Sequence, residues 1–326
     1  MKSLDVVSIC NALVDILVTA AERDIEQLAL TKGIMHLVDD QRQQQVIQHF
    51  SKQQTTQELG GSSMNAIRSL AALGARTSFA GTVGEDTYGK SIETRMQDLG
   101  IKAHLRHAPA HTGLCFILVT PDGERTMNTS LGASCLFDEA IVPADDIAKA
   151  KIFHFSGYQW ANSGQIRAIK KALEIAKAND TLVSFDLADP FVVRNCRDEF
   201  IPLIKEYADI VFSNREETRL LFDVSPEEAA KRLTDMGCTA AIKLGAEGAL
   251  VSNAKETVHV KPVPTTVVDT TAAGDMFAAG FLYGVTRQKP LAVCGELAAV
   301  LASDVISRLG ATVSADALKH AQRLAN

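Results

Sequence analysis

Short apolar runs of β-favouring residues alternate with segments of helical period along almost the whole chain. Val6–Cys10, Thr77–Val83, Lys151–Phe155, Leu182–Asp186, Ile210–Ser213, Ala240–Leu244 and Ala249–Ser252 read as strands. Ser63–Leu73, Gly89–Leu99, Gly164–Ala178, Pro226–Met236 and Gly274–Val285 read as helices between or after them. Short apolar strands joined through helices pack as a mostly parallel sheet covered on both sides. The expected fold class is α/β, and ligands in such sheets bind beyond the carboxyl ends of the strands.

Two segments break this rhythm. Ile16–Ala20 and Gly33–Asp39 look like short strands flanking a helical piece. Lys102–His107, Gly113–Pro121 and Arg125–Thr129 look like a second, antiparallel set, turning at Pro121-Asp122-Gly123. Together they predict a small separate sheet, built from about residues 16–40 and 102–129, that serves as a lid. No repeat or linker divides the 326 residues, so one domain spanning 1–326 is expected.

Composition narrows the partners. With 46% hydrophobic and 22% charged residues the chain has ample material for a core, and a net charge of −6 argues against a nucleic-acid or membrane surface. Phosphate binding, if present, has to be local, made by loops and helix ends. The six cysteines form no C-x-x-C pair and fit no zinc spacing, so scattered buried thiols are expected. Met1-Lys2-Ser3-Leu4-Asp5 lacks the apolar core of a signal peptide, and a cytoplasmic location is expected.

The stretch Val267–Gly280 carries the strongest chemical signal. Asp269 and Asp275 bracket the small residues Thr270-Thr271-Ala272-Ala273-Gly274, and an apolar, Ala-rich helix follows. A small-residue turn entering a helix leaves several N–H groups aimed at one spot, where the dipole favours an anion. A carboxylate beside such an anion hole suits a site that deprotonates an alcohol while it holds a phosphate.

Other motifs are weaker alone. Gly60-Gly61-Ser62-Ser63-Met64-Asn65 combines a pliant backbone with Ser62 or Ser63 as a helix cap, and Asn65 in the first turn. Asn11 and Asp15 follow the first strand and serve equally as turn formers or as a grip on two adjacent hydroxyls. Asn214-Arg215-Glu216-Glu217 is either a capped helix start or an oxygen pair for Mg²⁺ held through water. Lys243-Leu244-Gly245-Ala246-Glu247-Gly248 is another glycine turn after a strand. Gly84-Glu85-Asp86-Thr87-Tyr88-Gly89-Lys90-Ser91 satisfies the P-loop pattern, yet Glu85 and Asp86 would face a polyphosphate with negative charge. It reads better as a plain strand-to-helix turn.

Taken together, these residues resemble the ribokinase/adenosine kinase family, also called the phosphofructokinase-B family of carbohydrate kinases. Gly60-Gly61-Ser62-x-x-Asn65 and Asp269-Thr270-Thr271-Ala272-Ala273-Gly274-Asp275 match its two signatures, and Asn214-x-x-Glu217 matches its magnesium and phosphate motif. Ala272 stands where many members have Gly. Asn11–Ile16, Gly123–Thr129 with Leu131–Ala133, and Phe185–Pro190 look most like the adenosine kinase branch.

The resemblance implies a three-layer α/β/α sandwich with a mostly parallel central sheet and a β-sheet lid. It implies an ATP- and Mg²⁺-dependent kinase acting on a primary hydroxyl, with an adenosine-like nucleoside favoured over free ribose or fructose. Asp275 would be the general base, and the N–H groups of Ala272, Ala273, Gly274 and Asp275 the anion hole. Asn11, Asp15, Gly60, Gly61, Ser62 and Asn65 would bind the sugar. Asn214, Lys243, Gly245, Gly248 and Thr270 would line the ATP side, with Glu217 reaching Mg²⁺ through water. Asp269, Thr271, Arg308, Gly310 and Ser314 would form a site for a monovalent cation such as K⁺. Phe116, Met35 and Tyr158 are available for an aromatic or apolar wall against a base, though each is expected in the core before the wall. A small-molecule partner, no nucleic acid, no membrane, and a monomer or homodimer complete the expectation. A P-loop kinase using Lys90 and a non-catalytic sensor are the competing readings.

Overall fold

A computed structural model describes residues 2–326. Its strands are β1 Leu4–Ile9, β2 Leu13–Thr19, β3 Met35–Leu37, β4 Thr56–Gly60, β5 Thr77–Gly84, β6 Lys102–Ala108 and β7 Thr112–Val119. They continue with β8 Arg125–Gly132, β9 Ala150–Ser156, β10 Leu182–Asp186, β11 Ile210–Asn214, β12 Thr239–Lys243, β13 Ala249–Ser252 and β14 Thr257–Val260. The helices are α1 Glu22–Gln27, α2 Asp40–His49, α3 Ser62–Ala72, α4 Thr87–Asp98, α5 Ala144–Lys149 and α6 Ser163–Ala178. After them come α7 Pro190–Tyr207, α8 Arg215–Phe222, α9 Pro226–Asp235, α10 Ala273–Thr286, α11 Leu291–Val305 and α12 Ala315–Leu324.

The large sheet runs β14-β13-β12-β11-β10-β9-β1-β5-β6, parallel from β12 to β6 and antiparallel only at β13 and β14. Alternation along each strand feeds two cores. Val6, Phe79, Ile152, Ile210 and Phe212 face α3, α10 and α11, while Val7, Ile9, Phe153, Phe185 and Val211 face α6, α7 and α9. The result is a three-layer α/β/α sandwich. In chain order the strands leave β1 toward β5 and β6, then cross to β9 on its other side. The crevice beyond the carboxyl ends of β1 and β9 is thus a topological switch point.

The helix α10 is buried nearly all round, and its glycines explain how. A Cβ at Gly280 would overlap the Leu297 carbonyl, and one at Gly284 would meet Cys294 Sγ at 2.8 Å. Without side chains there, α11 lies close against α10 and fixes the helix whose N-terminus forms the anion hole.

The second sheet, β3-β8-β7-β2-β4, corrects the expected lid in three ways. Lys102–His107 is not part of it: β6 pairs in parallel with β5 at the edge of the large sheet. The unforeseen β4 joins it, pairing with β2 through Asp15↔Glu58 and Leu13↔Gly60. It is also mixed rather than antiparallel, since β2–β7 and β3–β8 are parallel pairs. Thr56 and Gln57 are exposed polar residues on a strand with no apolar alternation, which hides β4 from periodicity. One face of this sheet is sealed by Val46 of α2 and its C-cap Phe50 against Phe116 and Leu118. Phe116 is therefore core, not a cavity wall. Cys10, Cys115, Cys238 and Cys294 are buried as expected, whereas Cys135 is exposed. No helix among the described residues is long and apolar enough to cross a membrane.

Candidate active site

The carboxyl ends of the parallel strands deliver Asn11 after β1, Tyr158 after β9, Asp186 from β10, Asn214 from β11 and Lys243 from β12. The small sheet lies above them and contributes Asp15, Met35, Arg125 and Met127. Between the layers is a cavity of about 350 Å³. Asp275 and Gly274, at the N-terminus of α10, are among the residues lining it.

The chain enters α10 through Ala272, held in the left-handed region at φ 58°. That conformation lets the next N–H groups turn inward. The N–H groups of Ala272, Gly274 and Asp275 meet no protein acceptor among the described residues, while that of Ala273 reaches Thr270 O at 3.3 Å. Three free donors at a helix N-terminus make an anion hole. An L-residue in the left-handed region costs about 1–2 kcal/mol. Ala272→Gly should therefore raise the unfolding free energy by about 0.5–1 kcal/mol after the entropy of the unfolded glycine is subtracted. A thermal or urea melt reads this directly, and a destabilised variant would show that packing of the buried Ala272 methyl outweighs the strain.

Asp275 is held from α3. Ser62 Oγ donates to its Oδ1 at 2.7 Å, and Asn65 Nδ2 donates to its Oδ2 at 2.9 Å. Two residues expected on the sugar thus spend a donor on the candidate base. Burial pushes the Asp275 carboxyl above the usual carboxylate range, against the pull of these hydrogen bonds and with Asp186 adding to the rise. Burial likewise pushes Asp15 up to about 7, with Asp275 adding to the rise. Asp15 makes no side-chain hydrogen bond among the described residues and faces the cavity. A Cβ at Gly60 would sit on its carboxyl group, so that glycine makes room for the acid.

Asn11 is less free than expected. Its Oδ1 accepts from Gln165 Nε2 at 2.5 Å, and its Nδ2 donates to Tyr158 O at 3.3 Å, tying β1 to β9. One N–H remains for a ligand.

The ammonium of Lys243 lies 3.7 Å from Asp186 Oδ2, and a Cβ on Gly274 would stand 3.2 Å from it. Burial alone would lower its pKa, but Asp186, Glu217 and Asp275 outweigh that and hold it above the usual value. Lys243 is thus a charged lysine beside the anion hole. Asp186 and Arg125 were not singled out as site residues from sequence. Asp186 ends β10, and Arg125 enters the cavity from β8 with no carboxylate within ion-pairing distance among the described residues. The stretches containing them looked like those of a family branch, but only the fold shows that they face one cavity.

Glu217 and Asn214 form a reciprocal capping box at the start of α8. Asn214 N and Nδ2 donate to Glu217 Oε2 and Oε1 at 2.8 and 2.7 Å, and Glu217 N donates back to Asn214 Oδ1 at 2.8 Å. Gly245 is exposed on the β12–β13 loop. Gly248 is packed so that a Cβ would strike Val260 O, and Thr270 is half-buried beside the turn.

The expected cation site resolves into two separate clusters. Asp269 accepts from Thr271 N and Oγ1 at 2.8 and 2.6 Å and from Gly310 N at 2.9 Å. Arg308 and Ser314 instead converge on Asp304: Arg308 binds it through two contacts of 3.0 Å, and Ser314 donates through N and Oγ at 2.7 Å each. The Arg308 side chain is thus the positive partner of Asp304. The side chains of both clusters hold each other.

The P-loop pattern lies at a strand-to-helix turn, as expected, between β5 and α4. Asp86 fills the loop, accepting from Gly89 N at 2.8 Å and from Thr112 N and Oγ1 at 2.6 and 2.7 Å, while Lys90 is exposed. An internal carboxylate occupies the position a phosphate would need.

A buried carboxylate, free helix N–H groups and a charged lysine around one crevice suit the phosphorylation of an alcohol. Residues 27–318 match the pfkB family carbohydrate kinases, and the chain belongs to that family. A probable sugar kinase from Rhizobium etli and an adenosine kinase from Sinorhizobium meliloti each superpose with a TM-score of 0.93 at 33% identity, covering 99% of both chains. A 5-dehydro-2-deoxygluconokinase from Listeria monocytogenes is 27% identical over 303 residues, 88% of this chain and 92% of its own length. The protein is an ATP-dependent phosphotransferase acting on a sugar or nucleoside hydroxyl.

Proposed function

We propose that the acceptor is an adenosine-like nucleoside, phosphorylated at the primary hydroxyl of its ribose. The observation that carries this reading is the mixed lining of the cavity. Asp15, Asp275 and Lys243 share it with the apolar Met35, Leu37, Trp160, Phe191 and Val192. A sugar alone would leave this apolar surface uncovered, whereas a base would be buried against it.

In this mechanism Asp15 accepts hydrogen bonds from the ribose hydroxyls and orients the sugar. Asp275 accepts the proton of the primary hydroxyl as its oxygen attacks the γ-phosphorus. The bond to the β-phosphate oxygen breaks, and ADP leaves. The N–H groups of Ala272, Gly274 and Asp275, with Lys243, hold the charge of the transferring group. The small sheet carries Arg125 over the same space and excludes water.

Mg²⁺ would neutralise charge on the ATP phosphates. Glu217 fits a role through water, because each of its oxygens accepts one hydrogen bond from Asn214 and retains a lone pair. The carboxylate of Asp269 already takes three donors, and no step here uses a monovalent cation. We place the protein among small-molecule kinases of the cytoplasm.

ATP consumption measured over adenosine, inosine, guanosine, cytidine, ribose, fructose and a sugar acid tests the reading. The expected result is a kcat/KM for adenosine at least about 10-fold above that for ribose, the value of one buried apolar contact of 1–3 kcal/mol. Equal or better use of a free sugar would overturn the nucleoside assignment.

A further inference from the structure

Arg68 is a charge without an evident task. It lies on α3, its residue only 8% exposed, and no carboxylate stands within ion-pairing distance among the described residues. Its Nη1 donates to Leu59 O at 2.7 Å and to Asn65 Oδ1 at 3.0 Å, and its buried Nε finds no partner. A buried guanidinium is costly to keep unless something depends on it.

The chemistry of the Asn65 amide supplies the dependence. An amide has one accepting and one donating end, and a guanidinium can only donate. Facing Arg68, Asn65 must present its oxygen, so its NH₂ group must point to the other side. There it meets Asp275 Oδ2 at 2.9 Å. A donor fixed on that oxygen favours the carboxylate over the carboxylic acid, whose proton would collide with it.

We propose that Arg68 is a positioning residue: by locking the orientation of the Asn65 amide it keeps Asp275 an acceptor, ready to take the proton of the alcohol. The inference rests on Asp275 being the base, as proposed above. It explains how an acid in such surroundings works at neutral pH. Asp275 also faces Asp15 and Asp186, which oppose its ionisation, Arg125 and Lys243, which favour it, and the neutral Cys10 and Tyr158. Arg68 in turn faces Glu58, Asp15, Asp275 and Arg95. Apart from Asp275 itself, none of these other groups bonds to the amide.

The pH dependence of kcat separates this role from simple packing. Arg68→Met frees Asn65 to turn its oxygen toward a protonated Asp275, so the acid limb should move up by about 0.5–1 pH unit. Arg68→Lys cannot accept and should leave the limb in place. Arg68→Gln both donates and accepts, so it should raise the limb while still able to satisfy Leu59 O, and it carries the test if the Met variant does not fold. In an Asn65→Ala background the shift from Arg68→Met should shrink by half or more. A limb that stays put in folded Met or Gln variants, with kcat falling evenly at all pH, would reduce Arg68 to a structural residue. A shift of equal size with and without Asn65 would overturn the relay. Asp275→Asn distinguishes the two levels: an active Asp275→Asn enzyme removes the base itself, whereas an inactive one with an unmoved Arg68→Met limb removes only this inference.

Discussion

Asp275→Asn should lower kcat by about 10²–10⁴-fold, the usual contribution of a positioned general base, with the folded state and ATP binding retained. The reasons are geometric. Asp275 follows the left-handed Ala272 and the small residues Ala273 and Gly274, so its backbone belongs to the anion hole and its side chain to the acceptor. An asparagine keeps the shape and the first-turn position but cannot take a proton. The hydrogen bonds from Ser62 and Asn65, which cost nothing against a carboxylate, would now press donors against a group that is partly a donor itself. In the unaltered enzyme, activity should fall as pH drops through the Asp275 pKa. Because burial raises that pKa, the limb should lie above the ordinary carboxylate range. A phosphoryl-transfer assay across pH, with ATP affinity measured separately, checks both statements. Near wild-type kcat in Asp275→Asn would sink the assignment.

Gly61→Ala should strongly destabilise the fold, costing about 3 kcal/mol or more. Gly61 is the N-cap of α3 and sits at φ 100°, where an L-residue is strained. Its Cβ would also overlap the backbone carbonyl of Asn11, with Cys10 Sγ at 3.6 Å. A side chain could rotate away, but a carbonyl in the link from β1 to β2 cannot move without shifting Asn11 and Asp15. The expected outcome in a chemical melt is a large fall in midpoint, or loss of the folded protein on expression. A variant that melts with wild-type stability would show that this backbone approach is loose.

The same crowding explains why parts of the site were legible in sequence and others were not. Gly60, Gly61 and Gly274 are where backbone must come close to something, and such positions leave a glycine in the chain. Asp275 was legible because a carboxylate beside a small-residue turn is an uncommon pairing. What each residue touches was less legible. Ser62 and Asn65 follow the paired glycines and were assigned to the sugar, yet their donors point across to α10, two hundred residues away in the chain. Arg308 and Ser314 were placed with Asp269 by motif, but the loop delivers them to Asp304. No local pattern records which of two nearby acids a side chain will reach.

Strand assignment divides along the same line. The central strands β1, β5, β9, β10 and β11 are buried on both faces, so they read as uninterrupted apolar runs. Strands β4 and β6 are edge strands, partly solvated and polar, and periodicity is weak there. One was missed and the other was assigned to the wrong sheet.

Sequence by itself determined that this chain is a doubly covered α/β protein with a small-residue helix entry and a carboxylate on one turn. Those properties follow from local chemistry: apolar runs, small residues and a helix start. Only the tertiary structure decided which acids and bases share the cavity. Asp15, Arg125, Asp186, Lys243 and Asp275 come from five separate elements, and they meet because the small sheet folds back over the switch point between β1 and β9. The balance of charge that sets their protonation is a property of that meeting, since burial and neighbouring charge act through space and not along the chain.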